Sequence, residues 1–529
     1  MLLCTVISLI ISSVVVLHTI DKYGVPKFIS FYWPYVKRII SQILIINALV
    51  AVNSATISAN EENHKLKSWQ EIPGPTSLPI IGQLHHFLPG GSFYKSEDMI
   101  NTVLYEKFGP IVKMDGYFGA PAIVMLYDAE VLRGENWMPI RAGFETLQYF
   151  RKNYYKKQGA ASDTPTGLIT DHGEIWKKFR STVNPILLQP KTVKLYTNTL
   201  NEVAEDMIER LIRNEKNMLQ GNFGFEMNLW ALESIGVVAL GGRLNCFDPN
   251  LPENSPAKKL IRLVHDVFTS ADELDFKPSL WRYISTPTFK KAMKLYEDQI
   301  KISKHFVTEA MKKLELKNQP STEEKGVLEK LLEIDEHVAV IMASDMLFAG
   351  VDTAANTMTS TLYLLAKNQD KQNKLRQEIL SDKEKRPYLK ACIKESMRIL
   401  PIVAGNMRVA TKEYNILGYK IPKGVIFNHQ ALCMLEEHFP QPEKYIPERW
   451  IVDKDDPLYH GNAHPFAWNP FGFGVRMCIG RRIAELEIET FLAKVIENFQ
   501  VEWFGPPLKT KPSSLNYAVE PFNFIFKDV

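Results

Sequence analysis

The chemistry in this 529-residue chain is concentrated near its end, in Phe471-Gly-Phe-Gly-Val-Arg-Met-Cys-Ile-Gly480. Cys478 lies between Gly474 and Gly480, where a backbone without Cβ atoms can turn sharply and approach a flat ligand. Arg476, two residues earlier, can fork onto a carboxylate. The run that follows, Arg481-Arg-Ile-Ala-Glu-Leu-Glu-Ile-Glu-Thr-Phe-Leu-Ala493, has helical periodicity. Cys478 therefore precedes a helix N-terminus, whose dipole favours a thiolate. Such a thiolate is a candidate ligand for a haem iron. The plainer reading of the loop alone is a buried cysteine in a Gly-rich turn.

Three further groups of residues could serve the same chemistry. Val338–Asn368 reads as one long apolar helix containing Ala349-Gly-Val-Asp-Thr353. Glycine inside a helix costs about 1 kcal/mol against alanine, which points to a kink or a close ligand. Asp352 beside Thr353 in an apolar run is costly unless solvated or paired, and an N-cap or surface patch is the simpler alternative. Glu395 and Arg398, three apart, share a helix face, and Arg449 follows in the proline-rich Phe439-Pro-Gln-Pro-Glu-Lys-Tyr-Ile-Pro-Glu-Arg-Trp450. Trp176 and Arg180 share another helix face, and Arg408 comes seven residues after Pro401. Singly, each of these arginines reads as a solvated surface charge.

The spacing Phe471, Gly474, Arg476, Cys478, Gly480 resembles the haem-binding signature of the cytochrome P450 family at every fixed position. The resemblance implies a mainly α fold with a small β part, with haem b between the long central helix and the cysteine loop. It implies that Cys478 is the axial thiolate and that Asp352 and Thr353 handle protons for oxygen activation. Glu395, Arg398 and Arg449 would form a buried network locking the meander to the cysteine loop. Trp176, Arg180, Arg408 and Arg476 would hold the propionates.

The elements that must position these residues begin late in the chain. Glu71–Gly82 packs prolines and glycines into a stretch that cannot be helical and acts as a stiff linker. The catalytic domain is expected at 70–529 and a targeting or anchor segment at 1–69. Residues 2–20 are uncharged and close to the length that crosses a bilayer, which suits an endoplasmic-reticulum anchor. Between Asp21 and Glu61 there is no acid, while Lys27, Lys37 and Arg38 are present, which suits a mitochondrial transit peptide. The net charge of +3 says nothing of nucleic acid, and the five cysteines lack paired spacing, as in a reducing compartment. No CxxC pair or HExxH run suggests zinc.

No GxGxxG module for a flavin or dinucleotide is visible, so electrons must come from another protein. Lys390, Lys394, Arg481 and Arg482, with the words around them, resemble the animal mitochondrial branch. There such residues dock an acidic [2Fe-2S] ferredoxin fed by a reductase. Phe87-Leu-Pro-Gly-Gly-Ser-Phe-Tyr94 and Trp230-Ala-Leu-Glu-Ser-Ile-Gly236 look like arthropod mitochondrial members, which implies the matrix side of the inner membrane. One departure stands out: the 381–387 connection is shorter than usual, a true shortening or a segment lost from the gene model. The expected activity is insertion of one oxygen atom from O2 into an apolar small molecule, a xenobiotic or a steroid- or lipid-like compound. A haem-thiolate isomerase or dehydratase and a non-catalytic haem sensor are the alternatives.

Overall fold

A computed structural model describes residues 66–529 apart from 95–102, 117–119, 134–139, 212–217, 220–221, 278, 317–323, 382–384, 404, 431, 433 and 512–514. The chain divides into two compact units, Met1–Lys67 and Ser68–Val529. The apolar run 2–20 and the basic segment from Tyr35 lie outside the described residues.

Among the described residues, ten helices of 13 residues or more carry the second unit: α1 Glu145–Lys157, α2 Gly173–Leu187, α3 Thr197–Arg210, α4 Phe223–Leu240, α5 Pro256–Ala271, α6 Pro287–Leu316, α7 Glu336–Lys367, α8 Gln369–Ser381, α9 Pro387–Ile399 and α10 Arg481–Asn498. α7 is the long apolar helix expected at 338–368. It starts two residues earlier because the Asp335 carboxylate caps it, accepting from Val338 N–H at 2.9 Å. α4 is apolar around its whole circumference and lies in the core. Trp230 of α4 stacks on Phe491 of α10, with centroids 4.6 Å apart. Both α4 and α7 are long and apolar enough to cross a membrane, but most of each is buried within the protein.

A Cβ at Gly350 would stand 2.6 Å from Ile235 Cγ1, so the close approach that the glycine permits is that of α4 to α7.

The sheet that flanks the site has five strands: β1 Ile111–Met114, β2 Ile123–Leu126, β3 Ile140–Arg141, β4 Gly405–Val409 and β5 Ile426–Gln430. Their order is β1-β2-β5-β4-β3, with β2 and β5 parallel and the other neighbours antiparallel. The register of β3 on β4 sets Arg141 opposite Arg408. Near the C-terminus β6 Phe499–Trp503 pairs with β9 Phe524–Asp528, and β7 Lys509–Lys511 with β8 Tyr517–Val519.

The short connection between α8 and α9 is closed by a side chain. Glu378 near the end of α8 accepts from Tyr388 N–H at 2.7 Å and Leu389 N–H at 2.8 Å, satisfying the first turn of α9.

Candidate active site

The cysteine loop is folded by its own backbone. Cys478 N–H donates to Phe471 O at 2.9 Å and Met477 N–H to Gly474 O at 3.0 Å. Gly474 and its neighbour Gly472 have φ of +66° and +68°, the left-handed region that glycine enters freely. Gly480 has φ −83° and is the N-cap residue of α10. The sharp turn expected of Gly474 and Gly480 is therefore made by Gly472 and Gly474. The Gly480 N–H instead donates to the sulfur and lowers its pKa.

Burial raises the Cys478 thiol above its usual pKa, outweighing the Gly480 N–H, Arg180 and Arg141, which lower it. Ligating a metal would release the thiol proton and leave the thiolate. Cys478 is nevertheless exposed.

Four guanidinium groups gather beside it. Arg141 and Arg180 both interact electrostatically with Cys478. Arg476 lies over the Trp176 ring, 3.5 Å from its centre, and donates to Leu168 O at 3.3 Å and Asp171 O at 3.1 Å. Arg180 Nη2 donates to Met477 O at 2.8 Å, tying α2 to the loop, and Trp176 Nε1 donates to Leu168 O at 3.2 Å. Arg408 Nη1 donates to Met407 O at 2.8 Å. Burial first, then the neighbouring arginines, depress Arg476 to about 9 and Arg408 to about 10. Like charges directly opposite destabilise a strand pair, and gathering four cations is costly even with Glu145 near Arg141 and Asp171 near Arg476. A cluster of this kind fits a ligand with more than one carboxylate.

Glu395, Arg398 and Arg449 meet as expected, all fully buried. Arg398 grips both carboxylate oxygens of Glu395 at 3.0 and 2.8 Å, and Arg449 Nε reaches Oε1 at 3.0 Å. Trp450 Nε1 donates to Oε2 at 2.9 Å and Ile446 N–H to Oε1 at 3.1 Å. Charges so buried are tolerated only when satisfied this fully.

Asp352 and Thr353 are neighbours in sequence with different surroundings. In α7, residues 341–348 are all buried, whereas Ala349 is exposed and Gly350 and Thr353 are half-buried. Thr353 Oγ1 donates to Ala349 O at 2.8 Å. Asp352 is buried, its Oδ2 accepting from Tyr517 O–H at 2.8 Å, while its Oδ1 has no partner. The two side chains therefore face different partners, Thr353 its own helix and Asp352 the Tyr517 hydroxyl.

The basic face is less basic than the sequence suggests. Lys394 on α9 faces Lys390 and, from the start of α10, Arg481, but Glu485 and Glu489 are interleaved, and Arg482 is exposed beside Arg481. Lys390 Nζ lies 3.8 Å from Glu489, and Arg481 Nε 2.9 Å from Glu485. Lys394 is half-buried over the Trp450 ring, and burial lowers its pKa.

Residues 72–524 match the family Cytochrome P450. The chain belongs to the cytochrome P450 family. It is 38% identical to cytochrome P450 CYP12A2 of Musca domestica, covering 90% of this chain and 94% of that protein. It is 37% identical to the Drosophila melanogaster protein named probable cytochrome P450 12a5, mitochondrial, over 90% of this chain and 94% of that one. Among solved structures, retinoic acid bound cyanobacterial CYP120A1 shares the fold, with a TM-score of 0.65 at 21% identity, over 88% of this chain and 100% of that chain.

A cytochrome P450 is a monooxygenase carrying haem on an axial cysteine thiolate, and the donor set suits that cofactor. The accessible sulfur suits the iron, and the arginine cluster suits two propionates. The exposed turn at Ala349 suits a central helix that lines the haem. Arg141 was missed by sequence reasoning. It sits in Met138-Pro-Ile-Arg-Ala-Gly143, where nothing in the spacing distinguishes it, and only the register against Arg408 reveals it. Trp450 could have been read from its place beside Arg449.

Proposed function

We propose that Cys478 is the axial thiolate of this cytochrome P450 and that Arg141, Arg180, Arg408 and Arg476, with Trp176, hold the haem propionates. The observation that carries this reading is the accessible thiol of Cys478, deep in the protein and beside those arginines. Thiolate-ligated haem supplies the reductive activation of dioxygen from which one atom enters the substrate. The protein positions the sulfur through the Phe471 carbonyl and the Gly480 N–H, and the Glu395 network holds the meander beneath it. Asp352 holds the proton store, and Thr353 orients protons in the cleft. A rotamer change at Asp352, or a bridging water, links them.

Electrons come from a [2Fe-2S] ferredoxin docking on Lys390, Lys394, Arg481 and Arg482. Supporting this are the exposed cations at 390, 481 and 482, and relatives whose names include the word mitochondrial. On the same ground residues 1–69 serve as a targeting segment preceding a domain at 70–529, and the enzyme works at the matrix side of the inner membrane. The substrate is an apolar small molecule.

The test is spectral and then kinetic. The reduced carbon-monoxide adduct of the purified protein reports thiolate ligation, and Cys478→His should abolish that signature while leaving some haem bound. Oxygen uptake that requires reduced ferredoxin separates an oxygenase from a haem-thiolate isomerase or a sensor. Uptake that proceeds without ferredoxin would overturn the electron route.

A further inference from the structure

We propose that His265 on α5 is the entry point through which solvent protons reach Asp352, with Tyr517 of β8 fixing the carboxyl that receives them. The inference rests on the reading of Asp352 as the proton store and adds how that store is refilled. Asp352 is 1% exposed, so it cannot draw protons from water directly. His265 Nδ1 lies 3.8 Å from Asp352 Oδ2 while its side chain is 56% exposed. One ring therefore spans the distance from bulk solvent to the buried acid. At 3.8 Å the contact is an ion pair that a small side-chain movement, or one water, converts to a hydrogen bond.

The surroundings hold this arrangement in place. The His265 ring packs edge-on against Tyr517, centroids 5.1 Å apart, and the Tyr517 hydroxyl donates to the same Oδ2 at 2.8 Å. β8 is itself pinned to α7: Asn356 Oδ1 accepts from Ala518 N–H at 3.0 Å, and Asn356 Nδ2 donates to Asp352 O at 2.9 Å. Asp352 Oδ1 has no partner. It is the oxygen from which a proton can leave, because Tyr517 occupies the other.

The charged groups facing His265 are Asp352 from α7, Asp266 from its own helix and Lys511 from β7. Asp352 dominates and raises the imidazole pKa, against burial and Lys511, which lower it. The imidazolium is consequently more populated than that of an ordinary histidine. In the transfer, the N–H bond at Nδ1 breaks as an O–H bond forms at Asp352 Oδ2, and a half-turn of the carboxyl about Cβ–Cγ carries that proton to the position Oδ1 holds. A neutral imidazole remains, and solvent reprotonates it. One proton moves and no electrons do. Acting through Asp352, His265 is a positioning residue rather than one that touches the reacting atoms.

The experiment uses the haem-loaded full chain, with oxygen uptake driven by a [2Fe-2S] ferredoxin and its reductase. His265→Gln keeps a polar side chain but cannot exchange protons near neutrality. It should retain haem content and the carbon-monoxide spectrum, slow oxygen uptake by at least about 10-fold, and abolish the fall in rate that the parent shows as pH rises through the His265 pKa. NMR titration of His265 in the ferrous carbon-monoxide form gives a readout free of turnover. Its pKa should lie above the ordinary 6.5 or so and fall in Asp352→Asn. A His265→Gln enzyme with parental rate and pH profile overturns the proposal. If Asp352→Asn is crippled while His265→Gln is not, only the entry route fails. If Asp352→Asn is itself unaffected, the reading of Asp352 as proton store fails with it.

Discussion

Glu395 accepts from Arg398, Arg449, Trp450 and the Ile446 amide, so removing its carboxylate leaves two buried guanidinium groups uncompensated. Breaking a buried pair in this way costs roughly 3–5 kcal/mol. Glu395→Ala should therefore emerge from gel filtration without haem, as read by absorbance per mole of protein. A variant with full haem content would refute the role assigned to the network. The residues of this network were legible only through the family resemblance, from the order of Glu-x-x-Arg, Pro447-Glu-Arg-Trp450 and the cysteine loop, since the pair alone reads as an ordinary surface ion pair. A carboxylate gripped by an arginine one helical turn away reads as Glu-x-x-Arg. Arg141, His265 and Tyr517 were not legible. Each reaches the site through register or helix packing over long sequence separations, and nothing near them in the chain marks them.

At the scale of elements, two contacts are exposed to test. Gly350 presses α7 on α4, and a Cβ at this position would meet Ile235 at 2.6 Å. Gly350→Ala should cost about 1–3 kcal/mol through overpacking. Adding Ile235→Val or Ile235→Ala should return part of it, a coupling that a double-mutant cycle in urea measures. The short connection before α9 makes the second contact. Glu378→Ala removes the cap from Tyr388 and Leu389 and should lower the urea midpoint by about 1 kcal/mol equivalent, with unchanged slope. The helix pattern was readable from periodicity, including α7 to within two residues. The function of its glycine was not, because a glycine that admits a ligand and one that admits a neighbouring helix look alike in one dimension.

For the molecule as a whole, pH and salt are the levers. Asp275, in the turn after α5, accepts from Thr146 N–H and O–H, yet burial and then Glu145 raise its pKa to about 7. A raised carboxyl pKa means the folded state holds a proton that the unfolded state has released. Stability therefore falls as pH rises from about 4 to about 7. Asp275→Asn should flatten that decline in melting experiments run across the range, and an unchanged slope would assign it to other groups. Ferredoxin-driven turnover should fall as salt rises from 50 to 200 mM (roughly the range over which the Debye length drops below 10 Å). The interleaved Glu485 and Glu489 make the dependence shallower than four free cations would give.

Arg141 and Arg408, set opposite each other by the register of two strands, also bear on how long each copy of the protein survives. Glu145 offsets part of their mutual repulsion, and a bound dianion would offset more, so the loaded chain is stabilised by the affinity it spends on its cofactor. A copy that never acquires haem keeps the repulsion and opens more often. Proteases that sample opened chains would then remove unloaded copies first, and the same two arginines that grip the cofactor would serve as a check on whether it was ever delivered. Raising the salt concentration should accordingly stabilise haem-free protein and leave the loaded form nearly unchanged, a difference that paired thermal melts would resolve.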